Sequence, residues 1–196
     1  MQIIIVAVIV ISLLIWAVSI YNRLVSLRNG FRNAYAQIDV QLERRHDLIP
    51  NLVETVRGYL AHEHQTLVEV VNARNTAISA SGKAAQSPGD TLSMQQLSSA
   101  EAGLSAALAK LFALSESYPD LKASQTMMQL SEELSSTENK IGFARQAYND
   151  AVMRYNTRVE SVPDTIFAGA FGFARAELLA MEDPLEIRKV PKVSFR

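Results

Sequence analysis

Cysteine is absent from the 196 residues, which excludes disulfides, thiol nucleophiles and thiolate zinc sites and suits a reducing compartment. Charge of one sign is absent too: 19 Lys and Arg stand against 20 Asp and Glu, net −1. The basic residues are scattered, so no face for nucleic acid stands out. Helix breakers are few, with 8 Gly and 6 Pro, and Ala, Leu, Gln, Glu and Ser are abundant, a helical composition. No alternation with a period of two runs over a useful length, so no sheet is expected. A length of 196 residues fits one domain.

The N-terminal segment also lacks charge. "IIIVAVIVISLLIWAVSI", Ile3 to Ile20, is an uninterrupted apolar run of 18 residues, and the first charged side chain is Arg23. At ~1.5 Å per residue, residues 2–21 reach roughly 30 Å, the thickness of a bilayer core. Trp16 and Tyr21 fall where an aromatic belt would lie. A cleaved signal peptide needs a basic start, a shorter core and a small-residue cleavage site, so residues 1–22 are read as a retained anchor. Arg23, Arg28 and Arg32 follow the span. By the positive-inside rule the N-terminus lies outside and the rest of the chain is cytoplasmic.

Beyond the span the pattern is that of helices packed at shallow angles. Phe31, Tyr35, Ile38, Leu42, Arg45, Ile49, Leu52, Val56, Tyr59, Glu63, Thr66 and Val70 alternate steps of four and three. "SASGKAAQSPGDT", Ser79 to Thr91, reads as an exposed loop. A third helix carries Leu97, Ala100, Leu104, Ala107, Leu111 and Leu114 on one stripe. After a turn at "SYPDLK", the next seam runs Leu130, Leu134, Thr137, Ile141, Ala144, Tyr148, Val152, Tyr155 and Val159. It stops at Val162-Pro163, where Asp164 is a candidate cap for a short final helix. The predicted fold is all-α: an N-terminal transmembrane helix followed by an antiparallel bundle of long helices. The bundle is assigned to residues 23–163. An apolar short helix and an extended tail take residues 164–196, with "TIFAGAFGFARAELLAM" set either across the bundle or against lipid or a partner.

Candidate chemistry is sparse. The three histidines are His46, His62 and His64. "HEH" spaces two of them by two residues, on opposite faces of a helix, whereas a zinc pair needs i and i+4. Surface or hydrogen-bonded histidines are the plainer reading. No serine lies in a G-x-S-x-G elbow, "SASGK" lacks the ends of a phosphate loop, and Glu132-Glu133 reads as a solvated face. No catalytic, cofactor-binding or metal-binding residue is assigned, and an enzyme is the weakest of three readings.

The cluster "ERRHDLIPNLVET" is read as a joint instead. Pro50 removes one backbone donor, giving either a kinked continuous helix or two helices with Asp47 as a new N-cap. Arg45 and Glu63 occupy seam positions where an apolar residue was expected. A buried charge needs a partner, and Glu101 or Glu138 is the candidate for Arg45. Tyr148-Asn149 and Tyr155-Asn156 repeat at seven residues. That places both rings on one stripe, with Glu138 and Asn139 as candidate partners for the hydroxyls. A polar layer inside one subunit, a subunit interface and ligand binding all remain open for them.

These stretches carry a resemblance. "YNRLVSLRNGFRNAYAQIDVQLERRHDLIPNLVETVRGYLAHE", "SYPDLKAS", "ELSSTENKIGFARQAYNDAVMRYNTRVESVP", "FGF" and the closing "PKVSF" resemble the LemA family of bacterial membrane proteins over nearly the whole chain. The resemblance implies one N-terminal membrane helix with a short external end and a cytoplasmic helical bundle in the bacterial inner membrane. It brings no catalytic residue, and it implies a link to a membrane zinc metalloprotease and to envelope or stress physiology. Tyr35 stands where Trp is common in the family, and the Ser79–Thr91 stretch is variable.

The function expected is a membrane-bound homo-oligomeric scaffold, with an adaptor or regulator of a membrane protease as the alternative. Membrane lipid and copies of the chain are the expected partners, and no cofactor is expected. The candidate interface comprises Leu60, Leu67 and Val71 beside the first seam, Tyr148 and Tyr155, and Phe171 and Phe173 of "FGF".

Overall fold

A computed structural model describes residues 1–60 and 63–180. The helices are α1 (Gln2–Arg57), α2 (His64–Gln86), α3 (Thr91–Ser115), α4 (Pro119–Lys122), α5 (Gln125–Glu160) and α6 (Asp164–Ala170). No strand occurs among the described residues, and the all-α expectation holds. His62, Ala61 and the tail "EDPLEIRKVPKVSFR", expected to be extended, lie outside the described residues.

Among the described residues four long helices, α1, α2, α3 and α5, make the bundle, running up, down, up and down. Arg45 of α1 meets Glu138 of α5, while Phe31 meets Tyr155, so these two helices are antiparallel. Asp39 and the His46 carbonyl take bonds from Ser81 and Arg74, which sets α2 antiparallel to α1. α3 returns alongside α1, where Ser105 and Glu101 reach Arg45.

The apolar run forms the first third of α1, and its side chains from Ile3 to Val18 are exposed to whatever surrounds the molecule. α3 is also long and apolar enough to cross a membrane, but Met94, Leu97, Leu104, Leu108 and Leu111 bury its stripe in the bundle.

The first hairpin differs from expectation. The rod breaks not at Pro50 but between Gly58 and Glu63, and Leu60 folds back into the core with its amide on the Val56 carbonyl. Tyr59 is therefore exposed, and Glu63 is half-buried just ahead of α2 rather than a buried seam charge. Asp47 is exposed within α1 and caps nothing. Conversely, the expected loop at Ser79–Thr91 is mostly helix. Ala77, Ala80, Ser81 and Ala84 are buried at helical spacing, and such packing overrides the poor propensity of Ser79, Ser81 and Gly82. Only Ser87–Asp90 turn, and Asp90 caps α3 by accepting from the Ser93 amide at 2.9 Å, as an N-cap side chain does. That bond holds the Asp90 carboxyl below its ordinary pKa.

Two apolar clusters fill the bundle. The one nearer the apolar run gathers Leu24, Phe31, Ile38, Leu97, Tyr148 and Val152. The distal one gathers Ile49, Leu52, Leu67, Leu104, Leu111 and Leu130. The polar residues Arg45, His46 and Glu101 lie between them.

Candidate functional site

Two polar arrangements are built into the bundle, and the first surrounds Pro50. A proline lacks the N–H that would bond the carbonyl four residues back, here that of His46. α1 nonetheless runs unbroken through Pro50. The freed carbonyl accepts instead from Arg74 Nε of α2 at 2.6 Å. The proline thus costs α1 a bond and gives α2 a docking point.

One residue earlier the chain supplies the charged layer. Arg45 Nη1 lies 3.2 Å from Glu101 Oε2 and 3.0 Å from Glu138 Oε2, and Nη2 donates to Ser105 Oγ at 2.8 Å. His46 Nε2 donates to the other oxygen of Glu101 at 2.8 Å. Arg45, His46 and Glu101 are buried, whereas the Glu138 side chain is 41% exposed. Of the surface or hydrogen-bonded histidines expected, His46 is a hydrogen-bonded one, in the core rather than on the surface. His64 is exposed. Asn139 is exposed as well, because the seam of α5 passes through Thr137 and Ile141. Each buried charge already has a partner, which is the condition for its being tolerated. Among the described residues, no group of three or more metal-ligating side chains gathers.

The second arrangement was only half legible. Beyond α6, residues 173–180 run extended along α5 toward its N-terminal end, burying Phe173, Ala176 and Leu179. Tyr155 Oη donates to the Ala174 carbonyl at 2.9 Å and Tyr148 Oη to the Glu177 carbonyl at 2.8 Å. Asn156 clasps the backbone of Ala176 from both sides, accepting from its N–H at 2.9 Å and donating to its C=O at 2.8 Å. Asn149 does the same for Leu179, at 2.9 and 3.3 Å.

The repeat follows from two rises. Seven residues of α-helix advance about 10.5 Å, and three residues of extended chain advance about 9–10 Å. A Tyr-Asn pair every seven residues therefore reads a strap at every third. The hydroxyls find strap carbonyls, not Glu138 or Asn139.

The turn before α3 and α3 itself complete the clasp. Gly89 accepts from the Glu177 amide at 2.8 Å, Thr91 Oγ1 donates to Glu177 Oε2, and Ser98 Oγ donates to the Ala180 carbonyl. Gly89 has φ +88, and a Cβ there would sit 2.9 Å from Ala176 Cβ. Gly172, φ +69, makes the turn from α6 into the strap. Burial is the main cause that raises the Tyr35, Tyr148 and Tyr155 hydroxyls above their ordinary pKa, with Asp39 adding to it at Tyr35. A cavity of ≈ 200 Å³ opens where the strap's Leu179 meets Ile38, Leu42, Leu97, Ile141 and Arg145.

The candidate interface residues divide. Leu60, Leu67, Tyr148, Tyr155 and Phe173 are buried inside the subunit. Their apolar character serves the core and the strap. Phe171 and Val71 are exposed. Val71 lines a shallow groove of ≈ 270 Å³ with Val53, Leu60, Leu67 and Val68 where α1 ends and α2 begins.

The magnetosome proteins MamQ 1 and MamQ 2 of Paramagnetospirillum magneticum are each 26% identical over 172 residues, 80% of this chain and 63% of theirs. Protein LemA of Metamycoplasma hominis is 28% identical over 138 residues, 70% of this chain and 58% of its own. The chain thus spans about three-fifths of the length of these curated relatives. The LemA family profile matches residues 34–195, from the first bundle seam through the strap and beyond, and on that match the chain belongs to the LemA family.

Proposed function

We propose that this chain is a membrane-anchored, non-catalytic scaffold of the LemA type, which acts by self-association at the bacterial inner membrane with its bundle on the cytoplasmic side. The observation that carries the reading is the continuity of α1. One helix runs from the apolar run to Arg57, so an anchored chain holds its distal groove about 50 Å from the bilayer. Confinement to a plane raises effective concentration, so a groove of modest affinity is enough to join copies. The Arg45–Glu101 pair and the Tyr-Asn repeat are engaged in ties within the subunit, which favours holding over chemistry.

The test is the size of the full-length protein in mild detergent, with and without Val71→Asp. A scaffold gives a large species that shrinks toward one subunit in the variant while helical content is unchanged. A large species indifferent to Val71→Asp places self-association elsewhere, and a small wild-type species overturns it.

The second reading is an adaptor or regulator of a membrane zinc metalloprotease. It draws on the strap, since a surface that reads extended backbone suits a polypeptide client. A small species carrying one stoichiometric membrane partner would support it.

A further inference from the structure

α6 lies where the apolar run of α1 ends. Phe167 packs edge-on against Trp16 with ring centroids 6.2 Å apart, and Phe171 meets Tyr21 at 5.2 Å. Trp16 stands four residues before the end of the run at Ile20, roughly 6 Å inside it at ~1.5 Å per residue. α6 is thus level with the last turn of the apolar run.

Its outer face is apolar. Among the described residues Ile166 is 68% exposed, and Phe171, which follows α6, stays 57% exposed beside Tyr21. From Thr165 to Phe171 there is no charged side chain, and the one acid of α6, Asp164, is buried 3.0 Å from Arg158 Nε. Arg23, one turn beyond Ile20, is exposed on the far side of this boundary. At seven residues α6 is about 10 Å long, too short to span a bilayer. A short apolar face set 5–10 Å into the headgroup and acyl boundary is the geometry of an interfacial helix.

We propose that α6 and its C-cap are a second membrane contact: the side chains of Ile166 and Phe171 lie in the lipid interface beside Trp16. The occupant is the bilayer itself, because the surface continues the one that the anchor presents. The inference rests on α1 being a membrane anchor. Two contacts on one subunit fix the tilt and rotation of the bundle, where a single helix would leave it free to swivel.

The lack of cysteine makes the test direct. Full-length Leu14→Cys, Ile166→Cys and Met128→Cys variants, each labelled with an environment-sensitive fluorophore, are reconstituted in vesicles of zwitterionic and anionic phospholipid. Quenching is read from lipids spin-labelled near the headgroup. The expected result is severalfold stronger quenching at positions 14 and 166 than at Met128, which is exposed on α5. Quenching at 14 but not at 166 overturns the α6 contact and leaves the anchor standing. Quenching at neither removes the anchor and the contact together. Equal quenching at all three sites lays the bundle on the membrane and overturns a contact specific to α6.

Discussion

Pro50 and Arg74 form a pair whose logic belongs to single residues. The guanidinium satisfies a carbonyl that exists as an orphan only because residue 50 is proline. Arg74→Ala should therefore destabilise the bundle by ~1–3 kcal/mol, the cost of leaving a buried acceptor unpaired. In a Pro50→Ala background, where the helix bond can form, the same change should cost clearly less. Denaturant unfolding of the four proteins measures this coupling, and strict additivity would contradict it. Tyr35 gives a pH signature. Its hydroxyl sits beside Ser81 without a hydrogen bond of normal geometry, and burial raises its pKa. The folded value lies above the unfolded value of ~10, so the stability from the buried neutral form is full below about pH 10. That stability is lost as pH rises toward the folded value. Tyr35→Phe should flatten the fall in unfolding midpoint above pH 10, and an unchanged alkaline limb would count against it. The sequence exposed Arg45 and Pro50 as anomalies because each broke a local rule. It could not expose Arg74 or His46, whose roles depend on which carbonyl or carboxylate lies opposite.

Among the elements, the strap depends on backbone contacts and on a loop glycine. Gly89→Ala adds a Cβ at a positive φ and against Ala176, a combination that costs more than the ~1 kcal/mol usual for glycine replacement. Proteolysis in the 173–180 segment should speed up in that variant, together with Tyr148→Phe, while the distal cluster keeps its protection. Equal loosening of both ends would show that the strap is not a separable unit. The helices were legible because heptad seams repeat over many turns, and the seam of α5 ran unchanged from sequence to structure. The hairpin was not. The spacing Val56, Tyr59, Glu63 keeps heptad phase through a turn that only the return of Leu60 to the core reveals. The Tyr-Asn repeat announced a polar stripe, but its partner has three-residue spacing, which no helical period brings out.

For the whole molecule, the apolar first third of α1, the continuity of that helix and the distal groove are the features on which the proposed body, upright on a membrane and joined to its neighbours, rests. The buried Arg45–Glu101 pair, with His46 beside it, lies between two apolar clusters, and a slip along α1 would strand buried charge. Length and composition were enough to pick out the exposed apolar run, because hydropathy needs no partner. Which residues face outward was not readable at Leu60 and Leu67, because both are needed inside the subunit. The decisive measurement is amine-reactive cross-linking in intact membranes before any detergent is added, followed by mass determination of the products. Self-association predicts a ladder at multiples of the 21.6 kDa subunit, weakened in Val71→Asp. A single adduct with one other membrane protein, and no multiples of the subunit, would contradict it.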